Sequence, residues 1–137
     1  MEPPTTPGEA RRQAGFTLIE LVTVIALVAI LAAIALPNYR VAIVQSKEAV
    51  LHENLFRLRD LIDQYYLDKG QYPATLDALV SEGYMRKIPI DPLTNQADWQ
   101  TVPSEPDPNN PTATPGIYTV KSASDATALD GTKYSDW

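Results

Sequence analysis

The sequence has no cysteine. That excludes a disulfide framework, a thiolate metal site, an iron–sulfur cluster and a thiol nucleophile. It has one histidine, His52, which leaves little room for a histidine metal site or a Ser-His-Asp triad. Positive charge is scarce as well. Eleven Lys and Arg stand against seventeen Asp and Glu, a net charge of −6. An acidic chain with no basic cluster is a poor nucleic-acid binder, because phosphate contacts need Lys and Arg. There is no phosphate loop, no pair of catalytic carboxylates and no nucleophile elbow, so nothing in the sequence points to an enzyme. No internal repeat is present. What the chain does have is proline, twelve in 137 residues and mostly after position 70. Helix therefore belongs early and loops late.

The 45% apolar content is ordinary for one globular domain, but it is unevenly distributed. From Phe16 to Leu36 the chain reads FTLIELVTVIALVAILAAIAL, with only Thr17, Glu20 and Thr23 breaking the apolar run. At ~1.5 Å per residue such a helix is long enough to cross a bilayer's hydrocarbon core. Before it lies a polar leader of residues 1–15, with Arg11 and Arg12 close to the run. Positive charge takes that place on the cytoplasmic side of an inserting segment. The organisation is thus a leader over 1–15, a membrane-crossing helix over 16–37, which the family resemblance given below also makes a filament core, and a head over 38–137.

The helical reading continues past the apolar run. Val44, Leu51, Leu55, Leu58, Ile62 and Tyr65 recur at spacings of three, four and seven, one stripe of an amphipathic helix. The expectation is one long helix from about Phe16 to about Lys69, stopped at Gly70 and interrupted or kinked at Pro37. Thr75 to Val80 reads as a short helix with Thr75 as its cap. Trp99–Val102 and Ile117–Lys121 are the strand candidates, separated by a turn-rich loop. The fold class expected is α+β: a long N-terminal helix with a projecting apolar half, and a small head of one short helix and a small antiparallel sheet.

An ordinary signal peptide has a shorter apolar core, and a carboxylate inside it would only hinder insertion. The segment Gly15-Phe16-Thr17-Leu18-Ile19-Glu20 resembles the processing site of the type IV pilin superfamily. The resemblance implies cleavage between Gly15 and Phe16 by a membrane prepilin peptidase, and methylation of the new Phe16 amine. It also puts Pro37 at the stem junction. In a filament core the carboxylate of Glu20 can neutralise the Phe16 amine of an adjacent subunit. An unpaired buried charge there is very costly, so the pairing enforces one register. Ala26, Ala29, Ala32, Ala33 and Ala35 permit close helix approach.

A second pattern narrows the resemblance. Tyr65-Tyr66-Leu67-Asp68-Lys69-Gly70-Gln71-Tyr72-Pro73 is followed by Leu76-Asp77-Ala78-Leu79-Val80 and then by Gly83-Tyr84-Met85-Arg86-Lys87-Ile88-Pro89-Ile90-Asp91-Pro92. This order is similar to the major pseudopilin of type II secretion systems, and the missing cysteines favour that branch over true pilins. The resemblance implies a homopolymeric pseudopilus. Its partners would be minor pseudopilins, an inner-membrane assembly platform, secreted proteins and membrane lipid. The precursor would sit in the inner membrane with its head in the periplasm. It also implies a Ca2+ ion in the C-terminal loop. Asp125 falls at the family's first ligand, Asp130 and Asp136 stand in for paired acids that are absent here, and Lys133 is placed to compete by pairing with an aspartate. Two rival readings stand beside this one: an extracellular type IV pilus subunit for adhesion or motility, and a secreted soluble binding protein cut after Ala35.

Overall fold

The structure is a computed structural model that describes residue 1 and residues 14–137. The reading of Arg11 and Arg12 as an orienting charge pair lies outside the described residues. Helix α1 runs Leu18–Lys69 and α2 Asp77–Ser81; strands β1 and β2 are Gln100–Pro103 and Ile117–Lys121, and a 3-10 turn covers Tyr134–Asp136. The chain divides into two compact units, residues 1–39 and residues 40–137.

In the first unit the apolar side chains from Leu18 to Leu36 are exposed. By length and composition α1 can cross a membrane. It starts at Leu18, two residues later than Phe16, because Thr17 acts as its cap. Pro37 does not interrupt it: the helix is continuous, with Pro37 in its interior. A proline there removes one backbone bond, and its ring presses on the carbonyl four residues back. That residue is Ala33, beside Ala32.

In the second unit Leu51, Leu55, Leu58, Ile62 and Tyr65 are buried, and Val44 is half-buried at the upper end of the stripe. They meet Leu79, Trp99, Ile117, Val120, Ala128 and Tyr134 in one core. Each such aliphatic side chain contributes on the order of 1.5–3 kcal/mol through its transfer from water. Helix α1 ends as expected: Gly70 adopts φ 71° and its N–H closes on the Tyr66 carbonyl at 2.8 Å, the left-handed stop that glycine tolerates without penalty.

The short helix α2 begins at Asp77 with Leu76 in the cap position and no side-chain cap. Thr75 therefore does not cap it. Its carbonyl accepts the Ala78 N–H at 3.2 Å instead, so a backbone turn replaces the side-chain bond. Strands β1 and β2 form a two-stranded antiparallel sheet with Thr101 opposite Val120 and Val102 opposite Thr119. The first strand starts at Gln100, one residue after the expected Trp99. Trp99 is buried, and its indole N–H is turned to the Pro89 carbonyl at 2.8 Å. The register shifts between Val102 and Pro103, where a proline has no N–H for the ladder.

Candidate functional site

At the expected cleavage site Gly15 has open space around it, with nothing within 4 Å of an added Cβ, and Phe16 is 89% exposed. The chain's own packing thus places no demand for glycine at position 15.

The three polar residues of the apolar run are all satisfied locally. The Glu20 N–H donates to Thr17 Oγ1 at 3.3 Å, and Glu20 Oε2 accepts from the Thr17 N–H at 3.4 Å and from its hydroxyl at 3.5 Å. This is a capping box, Thr-x-x-Glu, which satisfies two otherwise orphaned N–H groups. The Thr23 hydroxyl donates to the Ile19 carbonyl at 2.7 Å. Where no water is available, such internal pairing makes polar groups tolerable. The capping box is legible as Thr17-Leu-Ile-Glu20, yet sequence reasoning gave Glu20 only an intermolecular partner. In the single chain its partner is Thr17.

The C-terminal loop, residues 122–137, is tied down along its length. Glu48 Oε1 accepts the Leu129 N–H and the Tyr134 hydroxyl, each at 2.8 Å. The Tyr134 phenol is pushed up to about 12, first by burial and then by its bond to Glu48. Arg59 donates to Thr119 Oγ1 at 3.1 Å, to the Val120 carbonyl at 2.9 Å and to the Trp137 carbonyl. His52 stacks on Trp137 with ring centroids 4.1 Å apart, a packing histidine as the sequence suggested. Thr127 and Lys133 form an isolated antiparallel bridge.

Asp130 Oδ1 accepts from the Thr132 N–H at 2.9 Å and hydroxyl at 2.6 Å, and these bonds, the side-chain one first, hold its carboxyl below the usual range. Among the described residues no three His, Cys, Asp or Glu side chains are gathered as metal ligands, so Asp125, Asp130 and Asp136 do not converge. The ion pairs among the described residues are Arg57–Glu53 and Lys69–Glu82, and the expected Lys133–aspartate pair does not form.

Sequence reasoning gave no role to Asp91. It is fully buried, accepting from the Ser122 hydroxyl at 2.6 Å and from the Leu93 N–H at 2.8 Å. It joins the Pro-x-Asp-Pro turn to the start of the C-terminal loop. The short reach of Asp and its habit of accepting a backbone N–H two residues on were the available signal. Tyr84 donates to Asp68 at 2.8 Å and is pushed up to about 12 by that bond and by burial. Two open grooves border the exposed Phe56, one of about 510 Å3 lined in part by His52, Arg59 and Trp137, the other of about 800 Å3 lined in part by Arg57, Tyr84 and Lys87.

Comparison with known proteins supplies an independent line. The family model described as "Prokaryotic N-terminal methylation motif" matches residues 10–36. The "Type II secretion system core protein G" of Pseudomonas aeruginosa is 34% identical over 103 residues, covering 64% of this chain and 72% of that protein. The protein of the same description from Aeromonas hydrophila is 33% identical with the same coverage. "Fimbrial protein EcpC" of Eikenella corrodens is 45% identical over 62 residues, 45% of this chain and 40% of that protein. No solved structure matches the chain significantly.

Proposed function

The chain belongs to the family of type II secretion system core protein G, and from that membership we propose that it is the major subunit of a pseudopilus. The precursor is anchored in the inner membrane through residues 16–37 with its head in the periplasm. A prepilin peptidase cuts between Gly15 and Phe16 and the new amine is methylated. Phe16 and Gly15 lie open to such an enzyme. The observation that carries the reading is the extent of the likeness: 103 residues aligned with core protein G, against 62 with the fimbrial protein.

In the lone subunit the capping box holds Glu20 facing the first turn of α1. Cleavage turns the Phe16 nitrogen from an amide into a cation one residue from Thr17. In a packed filament core that cation needs a counter-charge, and Glu20 of a neighbouring subunit supplies it. The stem surface, apolar and exposed in the single chain, is then covered by other stems. The role is structural: the filament pushes folded proteins outward, drawing energy from an ATPase elsewhere, with minor pseudopilins and an inner-membrane platform as assembly partners.

N-terminal sequencing of the mature protein tests processing. A methylated Phe16 start supports the reading, whereas a Leu36 start means a secreted soluble protein. Deleting the gene and comparing the secreted proteome and surface motility then tests the branch. Lost secretion with motility intact supports the pseudopilus. Lost motility with secretion intact means a surface pilus, the reading that the fimbrial likeness favours.

A further inference from the structure

The calcium expected at Asp125, Asp130 and Asp136 makes a definite demand on the loop. A hard cation of that kind takes six to eight oxygens, so the loop must turn carboxylates and carbonyls toward one point. This loop does not. No three acidic or imidazole groups gather among the described residues, and Asp130 is occupied by Thr132. No buried side-chain nitrogen or oxygen among the described residues is left without a partner. The residues present do not fit the ion.

They fit a different partner. The loop turns N–H and O–H donors, those of Leu129 and Tyr134, toward one carboxylate, Glu48. Donors need an anion, the opposite of what a cation site presents. Glu48, His52 and Arg59 follow one another on α1 at spacings of four and seven, which puts them on one helix face. Glu48 holds the middle of the loop. Arg59 ties the loop's last residue to the strand that leads into it, through the Trp137 and Val120 carbonyls. His52 covers Trp137 by stacking. Inside the loop, the Trp137 indole donates to Thr132 Oγ1 at 2.7 Å and the Ala128 N–H to the Thr132 carbonyl at 2.7 Å. Charge-assisted bonds to Glu48 and Arg59 are the strong kind, and they offset the entropy of ordering a loop with few apolar anchors.

We propose that the C-terminal loop of this chain is locked onto α1 by Glu48, His52 and Arg59 in place of a bound cation, so that the fold of residues 40–137 is independent of calcium. This stands whether or not the chain forms a secretion filament.

The test is hydrogen exchange and thermal melting of the full chain in detergent micelles, with excess Ca2+ and with excess chelator. The expected result is the same amide protection over residues 126–134 in both, and melting temperatures equal within about 1 °C. Glu48→Ala should accelerate exchange of the Leu129 amide by about tenfold or more in both conditions. Asp125→Asn should change neither readout. If Glu48→Ala does not fold, the exposed His52→Ala decides, with a shift of Trp137 fluorescence and faster loop exchange expected. A calcium-dependent rise in melting temperature that Asp125→Asn abolishes overturns the proposal. So does unchanged loop protection in Glu48→Ala, or in His52→Ala where that variant is the one that decides.

Discussion

Gly116→Ala is the sharpest single perturbation of the head. Gly116 lies where the chain re-enters the sheet after the proline-rich loop. A Cβ there would meet Tyr72 Cβ and the Tyr72 carbonyl oxygen at 2.6 Å, and its carbonyl carbon at 2.7 Å. Two of those atoms are backbone and the third is a Cβ, so no rotamer change relieves the clash. Gly116 is not among the residues with positive φ, so its glycine answers close approach and not left-handed backbone. The two segments are also pinned, by the Ile117 N–H on the Pro73 carbonyl at 2.8 Å and the Ser104 N–H on the Gly116 carbonyl at 2.7 Å. Relief therefore requires the backbones to part and one of these bonds to weaken. Overpacking costs about 1–3 kcal/mol and a weakened backbone bond about 0.5–1.5 kcal/mol. The sum, about 1.5–4.5 kcal/mol, corresponds to a fall in melting temperature of about 6–36 °C for a domain of this size. Circular dichroism melts of the full chain in micelles measure it, with Gly15→Ala, in open space, as a control that should not move. A fall of less than about 2 °C for Gly116→Ala would refute the close-approach argument.

Other substitutions probe other links. Glu20→Ala should leave insertion and cleavage intact while filament yield collapses, because the Phe16 amine loses its counter-charge; normal yield in a sheared-filament fraction would sink the pairing. A bulky residue at Gly15 should block the appearance of mature protein beginning at Phe16 without lowering the melting temperature, a split that mass spectrometry and melting together resolve. Leu58→Ala, at a site with no exposure, should cost about 2–5 kcal/mol through the cavity it leaves, read from denaturant midpoints. Tyr84 is held protonated up to about 12 by Asp68 and by burial, whereas an unfolded tyrosine titrates near ~10. Its contribution is therefore full below about pH 10 and lost as pH rises through about 12. Tyr84→Phe should flatten that alkaline loss, and an unchanged pH profile would count against it. Residues just before Pro37, helical in the single chain, should become less regular in the filament; unbroken helical density there in a filament map would contradict this.

Much of this protein is written in local pattern. The apolar run from Phe16 and the stripe from Leu51 to Tyr65 determine α1, because helix periodicity and continuous hydrophobicity are properties of neighbours in sequence. Gly70 marks the helix end for the same reason, since a left-handed stop is a local event. Strand β2 was legible to the residue, and Gly15–Glu20 lies within the methylation-motif segment matched over residues 10–36. Where local rules misled, a nearby substitute had taken over. Pro37 lies inside a helix that continues on both sides of it, and Thr75 is relieved of capping by its own carbonyl.

The rest needed the chain to fold back on itself. That Glu48, half-buried on α1, would accept bonds from residues more than eighty positions away cannot be read from its surroundings in sequence. The same holds for Arg59 with Val120 and Trp137, Asp91 with Ser122, and Gly116 against Tyr72. A polar residue on a helix face looks alike whether water or a distant loop lies over it. The difference is one of proximity in space, set by the burial of the whole head, and only the tertiary structure decides it. Sequence therefore determined which segments are helix and strand. Tertiary packing determined which polar groups on α1 hold the C-terminal loop, because that is a question of partners and not of periodicity.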